Sequence, residues 1–412
     1  MMRVLSARDA EAVGRLLEPA RAGDRALVRR VAAIVAAVRA EGDRALLRYA
    51  RRFDGLRGAL ELSPVEIDDG AARVPREVRR AIATAARRIR AVARRQLPRS
   101  WSMSPEPGVR VEQRITPLDC VGCYVPGGRY PLPSSLLMTA VPARVAGVAE
   151  IVVACPRPEP AVLAAAREAG VTRLFRMGGA HAIAALAFGT GTVPRVDRIV
   201  GPGNRYVAAA KALVAADCAI DFYAGPTEIV IVADGGRAEW IAADLIAQAE
   251  HDPDARAILI TRSRPLAARV VRAIEARLPP AGPAREALAA HGAIIIARSV
   301  AEEIALANRA APEHLVCDDE RVAAGVTRAG AIFVGPYSSQ VAGDYATGSN
   351  HVLPTNGAAR FRGGLSAADF VRQSSVQRLT KAGLSRLAPT VTALAREEGL
   401  LAHAAALEVR LR

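Results

Sequence analysis

The sequence predicts an α/β protein of two lobes, each a parallel sheet flanked by helices, followed by a small C-terminal helical tail. Three observations lead there. Short β-branched runs alternate with longer runs whose apolar positions recur at three and four. That alternation restarts after a turn near Ala224–Pro226, and a separate helical segment begins after Arg362-Gly-Gly. At 412 residues the chain also exceeds one core of roughly 100–200 residues.

Residues 1 to about 100 read as helices with an arginine-rich outer face, as in RALVRRVAAIVAAVRAEGDRALLRYARRF, punctuated by Gly42 and Gly55. The stretch PLDCVGCYVPGGRYPLPSSLLMTAVPARVAGV then reads as a strand, a Gly/Pro loop and a helix. EIVVAC, VTRLFRM and VDRIV are strands separated by the helices AVLAAAREAG and AHAIAALAFG, and the loop GPGN leads into the helix RYVAAAKALVAA. After IDFYAGP the strands TEIVIVAD, ARAILIT and GAIIIA alternate with further helices, the first of them closing at His251 before Pro253. The expected division is residues 1–102 with 227–361 as the first lobe, 103–226 as the second and 362–412 as the tail.

Composition narrows the function. A net charge of +15 invites a nucleic-acid reading, but of 56 basic residues only Lys211 and Lys381 are lysine. The arginines are spread along the chain, and no aromatic interleaves with a basic cluster as a stacking platform would. Nucleic-acid binding is therefore not expected. No run approaches the ~18 apolar residues that span a bilayer, and the charged start MMRVLSARDAEAVGRLL lacks the apolar stretch of a signal peptide. No membrane association and a cytoplasmic location follow as expectations. Five cysteines in such a chain argue for free thiols. Cys120 and Cys123 form a CxxC, yet no second pair accompanies it, and its apolar strand setting suits core thiols.

In parallel sheets covered by helices, ligands bind outside the carboxyl ends of the strands. The polar loops Pro126-Gly-Gly, Gly178-Gly, Gly201-Pro-Gly-Asn204 and Ala224-Gly-Pro-Thr227 are expected there. Glycines let backbone N–H groups approach a phosphate, and the helix after GPGN offers its positive end. No GxGxxG is present, so spacing alone leaves nucleotide binding and plain tight turns both open. The chain has six histidines, and four stand near a carboxylate or an amide. His251 follows Gln248 by three positions, on one helix face; His314 follows Glu313 directly; His351 lies seven after Asp344; His403 lies five after Glu398. Singly, each fits ordinary surface or turn chemistry. Together, mixed imidazole, carboxylate and amide ligands suit a borderline divalent ion such as zinc, which defines a metal-assisted enzyme. His291 reads as a helix C-terminal residue.

Read as a set, VGCYVPGGRYPLPSSLLMTAVPARVAGV, GGAHAIAALAFGT, VDRIVGPGNRYVAAAK, AGPTEIVIVAD, ADLIAQAEHDPDA, APEHL, GDYATGSNHVLPT and EEGLLAHAAALEVR resemble the histidinol dehydrogenase family. They run from about Pro117 to Arg410 in that family's order. The resemblance implies two Rossmann-like lobes and two successive hydride transfers to NAD. L-histidinol would pass through L-histidinaldehyde to L-histidine, the last steps of histidine biosynthesis. It implies one zinc ion per subunit on Gln248, His251 and Asp344, with the partner subunit's His403 as fourth ligand in a domain-swapped homodimer with shared active sites. By the same resemblance His314 is the general base and Glu313 the acid/base that activates water. Thr227, His351 and the partner subunit's Glu398 are substrate contacts, along with the zinc ligands, and Tyr124, His181 and Asn204 contact NAD.

Two positions depart from the family's pattern. It often has Gln where His181 stands and Ser where Thr227 stands, the latter in DFYAGPTE in place of the commoner PAGPSE. Relatives acting on other alcohols, such as sulfopropanediol, also carry Thr in this turn. The alternative reading is therefore a paralogous NAD-dependent dehydrogenase of another polar alcohol.

Overall fold

The computed structural model describes residues 2–18, 25–127, 130–222 and 225–412; Gly128 of the Pro126-Gly-Gly loop and Ala224 of the inter-lobe turn lie outside them. The first strands in chain order are β1 (Arg3–Ser6), β2 (Trp101–Glu106), β3 (Val109–Pro117), β4 (Cys120–Tyr124), β5 (Glu150–Ala154), β6 (Arg173–Phe175) and β7 (Arg198–Val200). They continue with β8 (Ala219–Ile220), β9 (Glu228–Val232), β10 (Arg256–Thr261), β11 (Ala293–Ile296), β12 (His314–Cys317), β13 (Ala331–Val334) and β14 (Val371–Leu379).

Two all-parallel sheets form the body. A five-stranded sheet has the order β6-β5-β4-β7-β8 and a six-stranded sheet the order β1-β11-β10-β9-β12-β13. Each winds outward from its first central strand, β4 or β9, and then returns to the other side of it, the doubly wound Rossmann-like arrangement. Strands such as Glu228-Ile-Val-Ile-Val are buried along their whole length, because helices cover both faces of a parallel sheet. Val121 and Cys123 pack on one face of the five-stranded sheet with Leu136, Ile82 and Ile89; Val152 and Ala154 pack on the other with Val31 and Ile183. Likewise Ile229 and Leu259 join Leu245 and Val270, whereas Val230 and Ile258 join Val13 and Leu306. All five cysteines are free; Cys123, Cys155, Cys218 and Cys317 are buried, as expected for core thiols. No helix among the described residues is long and apolar enough to cross a membrane.

Three arrangements differ from the sequence reading. Residues 1–102 were expected with the first lobe, but only β1 and helix Ala10–Leu17 join the six-stranded sheet. Helices within 25–96 cover the five-stranded sheet instead. The reason is the stripe Leu27, Val31, Val35 and Val38, spaced for one helix face and matched to the small-residue helices Gly179–Phe188 and Arg205–Val214. The hairpin β2–β3 replaces a plain connection between the lobes. The tail opens as a strand: β14 pairs antiparallel with β3 from Val371↔Pro117 to Leu379↔Val109, and only then do helices Lys381–Glu397 and Leu401–Glu408 follow. Those helices leave Leu394, Leu400, Leu401 and Val409 exposed.

Candidate active site

In a parallel sheet each covering helix carries the chain back to the amino edge. Helix Ala238–Ala249 follows β9 in this way, so its last turn, bearing Gln248, ends beside the start of β9. The helix stops two residues short of His251, which therefore sits in the exposed bend beyond it and not on the helix face shared with Gln248. Helix Val300–Ala310 is closed by Ala311 in the left-handed conformation (φ 47°), and Pro312 sets the chain extended. His314 thus opens strand β12, with Glu313 in the bend just before it. Asp344 comes from helix Gln340–Tyr345, and His351 from the loop after it.

The polar groups form one connected cluster. Gln248 Nε2 donates to the hydroxyl of Thr227, which donates to Glu313 Oε2 at 2.5 Å. The backbone N–H of Glu228 donates to the same Glu313 oxygen at 2.9 Å. His314 Nδ1 lies 3.7 Å from that carboxylate, and His314 Nε2 lies 3.3 Å from Asp344 Oδ1. His351 Nδ1 is 2.8 Å from the carbonyl oxygen of Asp344, and the His314 and His251 rings are close enough to discourage a proton on it.

Burial sets the protonation tendencies. It raises the Glu313 carboxyl, against the lowering by His314, Thr227 and the Glu228 N–H. Burial also works against a charged His314 ring, but the carboxylates of Glu313 and Asp344 outweigh it and raise its pKa above 6.5. His351 is lowered, chiefly by burial, so its neutral ring donates Nδ1–H to the Asp344 carbonyl and keeps a lone pair on Nε2. Glu228, absent from the sequence-derived set, is buried and pushed up to about 7, with Arg256 opposing and Glu313 reinforcing the shift.

One atom bears directly on a metal. Gln248 is 1% exposed, its amide nitrogen is committed to Thr227, and its carbonyl Oε1 has no hydrogen-bond partner. A buried carbonyl oxygen without a donor suits a cation. Among the described residues no three His, Cys, Asp or Glu side chains converge to hold a metal within one chain. The candidate donors within the cluster are the Gln248 amide and the Asp344 carboxylate; His251 lies in the exposed bend beyond the helix. Glu398 and His403 are not brought to the cluster; both are exposed on tail segments that pack chiefly on each other.

The cluster lies at the amino edge of β9 and β12, which the turn before Thr227 reaches after leaving the carboxyl end of β8. Pro126, Gly178-Gly179 and Gly201-Pro-Gly-Asn204 follow the carboxyl ends of β4, β6 and β7. There the Tyr124 phenol accepts from Gly179 N at 3.1 Å, and Asn204 caps helix Arg205–Val214 by accepting from Tyr206 N and Val207 N. His181 is buried, with Nε2 2.8 Å from Asp54 Oδ2; the same oxygen accepts from Gly178 N at 2.9 Å. The ring braces the Gly178-Gly179 turn. Asp54, Lys211 and Asp221 also shape these loops and were not singled out from sequence, although lysine at 211 in so arginine-rich a chain was a visible signal.

Comparison with known proteins follows the same lines. Residues 18–411 match the family model described as histidinol dehydrogenase. The chain is similar to the histidinol dehydrogenase of Caulobacter vibrioides, 49% identical over 92% of each chain. It is similar to that of Syntrophotalea carbinolica, 46% identical over the full length of both. The solved structure of the histidinol dehydrogenase of Elizabethkingia anophelis superposes with a TM-score of 0.94 at 34% identity, covering 100% of this chain and 98% of that one.

Proposed function

The chain belongs to the histidinol dehydrogenase family and is an NAD-dependent oxidoreductase; from that premise we propose that it carries out the zinc-dependent, four-electron oxidation of L-histidinol to L-histidine through L-histidinaldehyde. One alcohol, one water and two NAD+ give one carboxylate, two NADH and three protons. The observation that carries this reading is the hydrogen-bonded series Gln248–Thr227–Glu313 with His314 beside it. It sets an acid/base carboxyl and an imidazole next to a buried, unpartnered amide oxygen.

Gln248, His251 and Asp344 would hold one zinc ion per subunit, with the partner subunit's His403 completing the set in a homodimer. Zinc would supply a template that orients the amino alcohol. NAD, bound against Tyr124, Asn204 and the turn braced by His181, would accept hydride. His314 takes the hydroxyl proton as the first hydride leaves. Glu313, its Oε2 held by Thr227 and the Glu228 N–H, takes a proton from the water that adds to the aldehyde. His314 then serves the hydrated aldehyde as it served the alcohol. Thr227, His351 and the partner subunit's Glu398 contact the substrate. A cytoplasmic location fits this biosynthetic role.

The experiment loads the protein with zinc, adds limiting L-histidinol and excess NAD, and follows NADH to its plateau. Two NADH per histidinol, abolished by a chelator and restored by zinc, is the expected result. One NADH per histidinol overturns the four-electron course. None from folded, zinc-loaded protein overturns the substrate and favours another polar alcohol.

A further inference from the structure

Beneath the Gly201-Pro-Gly-Asn204 loop lies a buried ion pair that none of the chemistry above uses. Lys211 and Asp221 are 2% and 1% exposed at the side chain and meet at 2.7 Å. Both also grip one residue. Lys211 Nζ donates to Gly201 O at 2.6 Å, and Asp221 Oδ2 accepts from Gly201 N at 2.7 Å. The second oxygen, Oδ1, accepts from Phe222 N at 2.7 Å. Every polar group of the Gly201 backbone is therefore held by a side chain. This glycine sits at φ 114°, and a Cβ on it would lie 2.2 Å from the carbonyl oxygen of Tyr124. Its backbone crosses the end of β4 in direct contact.

The choice of cation points the same way. Of the chain's 56 basic residues 54 are arginine, yet position 211 is one of the two lysines. A compact ammonium reaches a carboxylate and a carbonyl inside an enclosed space; a planar guanidinium is larger and presents its donors in a fixed fork. Position 211 demands the smaller head. An ion pair this deep is also a costly way to fill a core, since well-packed apolar side chains of the same volume do at least as well for stability. What the pair adds is a fixed loop geometry.

We propose that Lys211 and Asp221 are positioning residues for NAD: they clamp Gly201 so that the Tyr124 carbonyl and Asn204, three residues further on, stand at fixed places beside the dinucleotide. The inference rests on the reading that NAD binds at the carboxyl ends of β4 and β7. The clamp stands at the edge of the five-stranded sheet, whereas the proposed substrate cluster stands on the six-stranded one.

The test compares Lys211→Met, Lys211→Arg and Asp221→Asn with the parent zinc-loaded enzyme. Four quantities are read: KM for NAD, KM for L-histidinol, kcat at saturating NAD, and zinc content. The expected result is a KM for NAD raised 10-fold or more in all three variants, with histidinol KM and zinc content within twofold and kcat within threefold. Lys211→Arg keeps the charge and still fails, because the clamp needs the smaller head. Asp221→Asn keeps the shape and provides a milder lesion should the lysine variants fold poorly. An NAD KM within twofold of the parent in all three overturns the proposal. So does an equal loss of NAD, histidinol and zinc, which assigns the pair to folding. Asn204→Ala separates this outcome from a failure of the NAD reading, by direct titration of NAD. If that variant binds NAD as the parent does, the site itself is misassigned; if it binds weakly while the clamp variants bind normally, only the clamp is refuted.

Discussion

Thr227 donates its hydroxyl proton to Glu313 across 2.5 Å while accepting from Gln248, so a single hydroxyl joins the amide of the proposed metal site to the proposed acid/base. Removing it breaks two buried bonds at once. Thr227→Val is expected to cost roughly 1–3 kcal/mol of positioning, a fall in kcat/KM of about 10- to 100-fold, whereas Thr227→Ser retains most of the rate. Steady-state kinetics of the two variants side by side decide it. Equal rates in both would mean the hydroxyl positions nothing.

His314 and Glu313 stand in one site but serve different halves of the proposed reaction. His314→Gln should slow the first hydride transfer by on the order of 10²–10⁴. Glu313→Gln should leave that transfer largely intact and stall hydration, so that one NADH forms per enzyme-bound histidinol in a rapid phase and the second follows slowly. Stopped-flow absorbance of NADH separates the two. A Glu313→Gln variant showing no rapid phase would tie Glu313 to the first step as well.

If the partner subunit's His403 completes each site, two inactive variants should rescue one another. His251→Ala and His403→Ala, co-expressed, assemble as a mixture in which half the dimers are mixed. Each mixed dimer holds one intact site, giving about a quarter of parental activity. Either variant alone stays inactive. Activity in the mixture no higher than in the separate proteins would place His403 in its own subunit's site or in none.

A pH dependence of stability follows from Glu303. Its buried carboxyl, with Asp234 close by and Arg262 Nε 3.4 Å from Oε2, is pushed up from 4.5 to about 7, burial being the largest cause. The folded protein keeps this proton where the unfolded chain has lost it. The stability this carboxyl contributes is therefore fully present below 4.5, is lost as pH rises through about 7, and is absent above that. Glu303→Gln has no such loss. Its Tm relative to the parent should improve by roughly 2–4 °C between pH 5 and pH 8. A Tm difference independent of pH would rule out the raised carboxyl.

Much of this architecture could be read from periodicity. Runs such as EIVIV and AIII are too short and too β-branched for helices, and the helices between them show their three-and-four spacing. The N-terminal strand Arg3–Ser6 could not be read, because four residues at the edge of a sheet owe their form to the neighbour, Ala293–Ile296, that they join. Strand β14, VRQSSVQRL, has little apolar alternation and is mostly exposed; it is a strand because β3 lies beside it. The candidate residues were marked in the sequence as pairs, Gln248 with His251 and Glu313 with His314. Their meeting place was not. Local spacing says nothing of which edge of a sheet a turn reaches, so the amino-edge position of Thr227 and Glu313 emerged only from the topology. Lys211 and Asp221 escaped for a related reason: ten residues apart along the chain, they meet only where β8 returns beside β7.

The polar cluster of Thr227, Gln248, Glu313 and His314 lies at the amino edge of the six-stranded sheet. Apart from the loop after β13, which leads into the helix bearing Asp344, the opposite edge of the six-stranded sheet, where such folds ordinarily seat their ligands, holds none of the residues proposed for the site. Its loops include Asp234-Gly235-Gly236-Arg237 after β9, where a side chain added at Gly235 would meet open space. The loop after β9 and its neighbours carry none of the residues proposed for the site. They are the part of the molecule where length and composition can drift, and where an epitope or a reporter domain can be grafted between Gly235 and Gly236 without disturbing turnover.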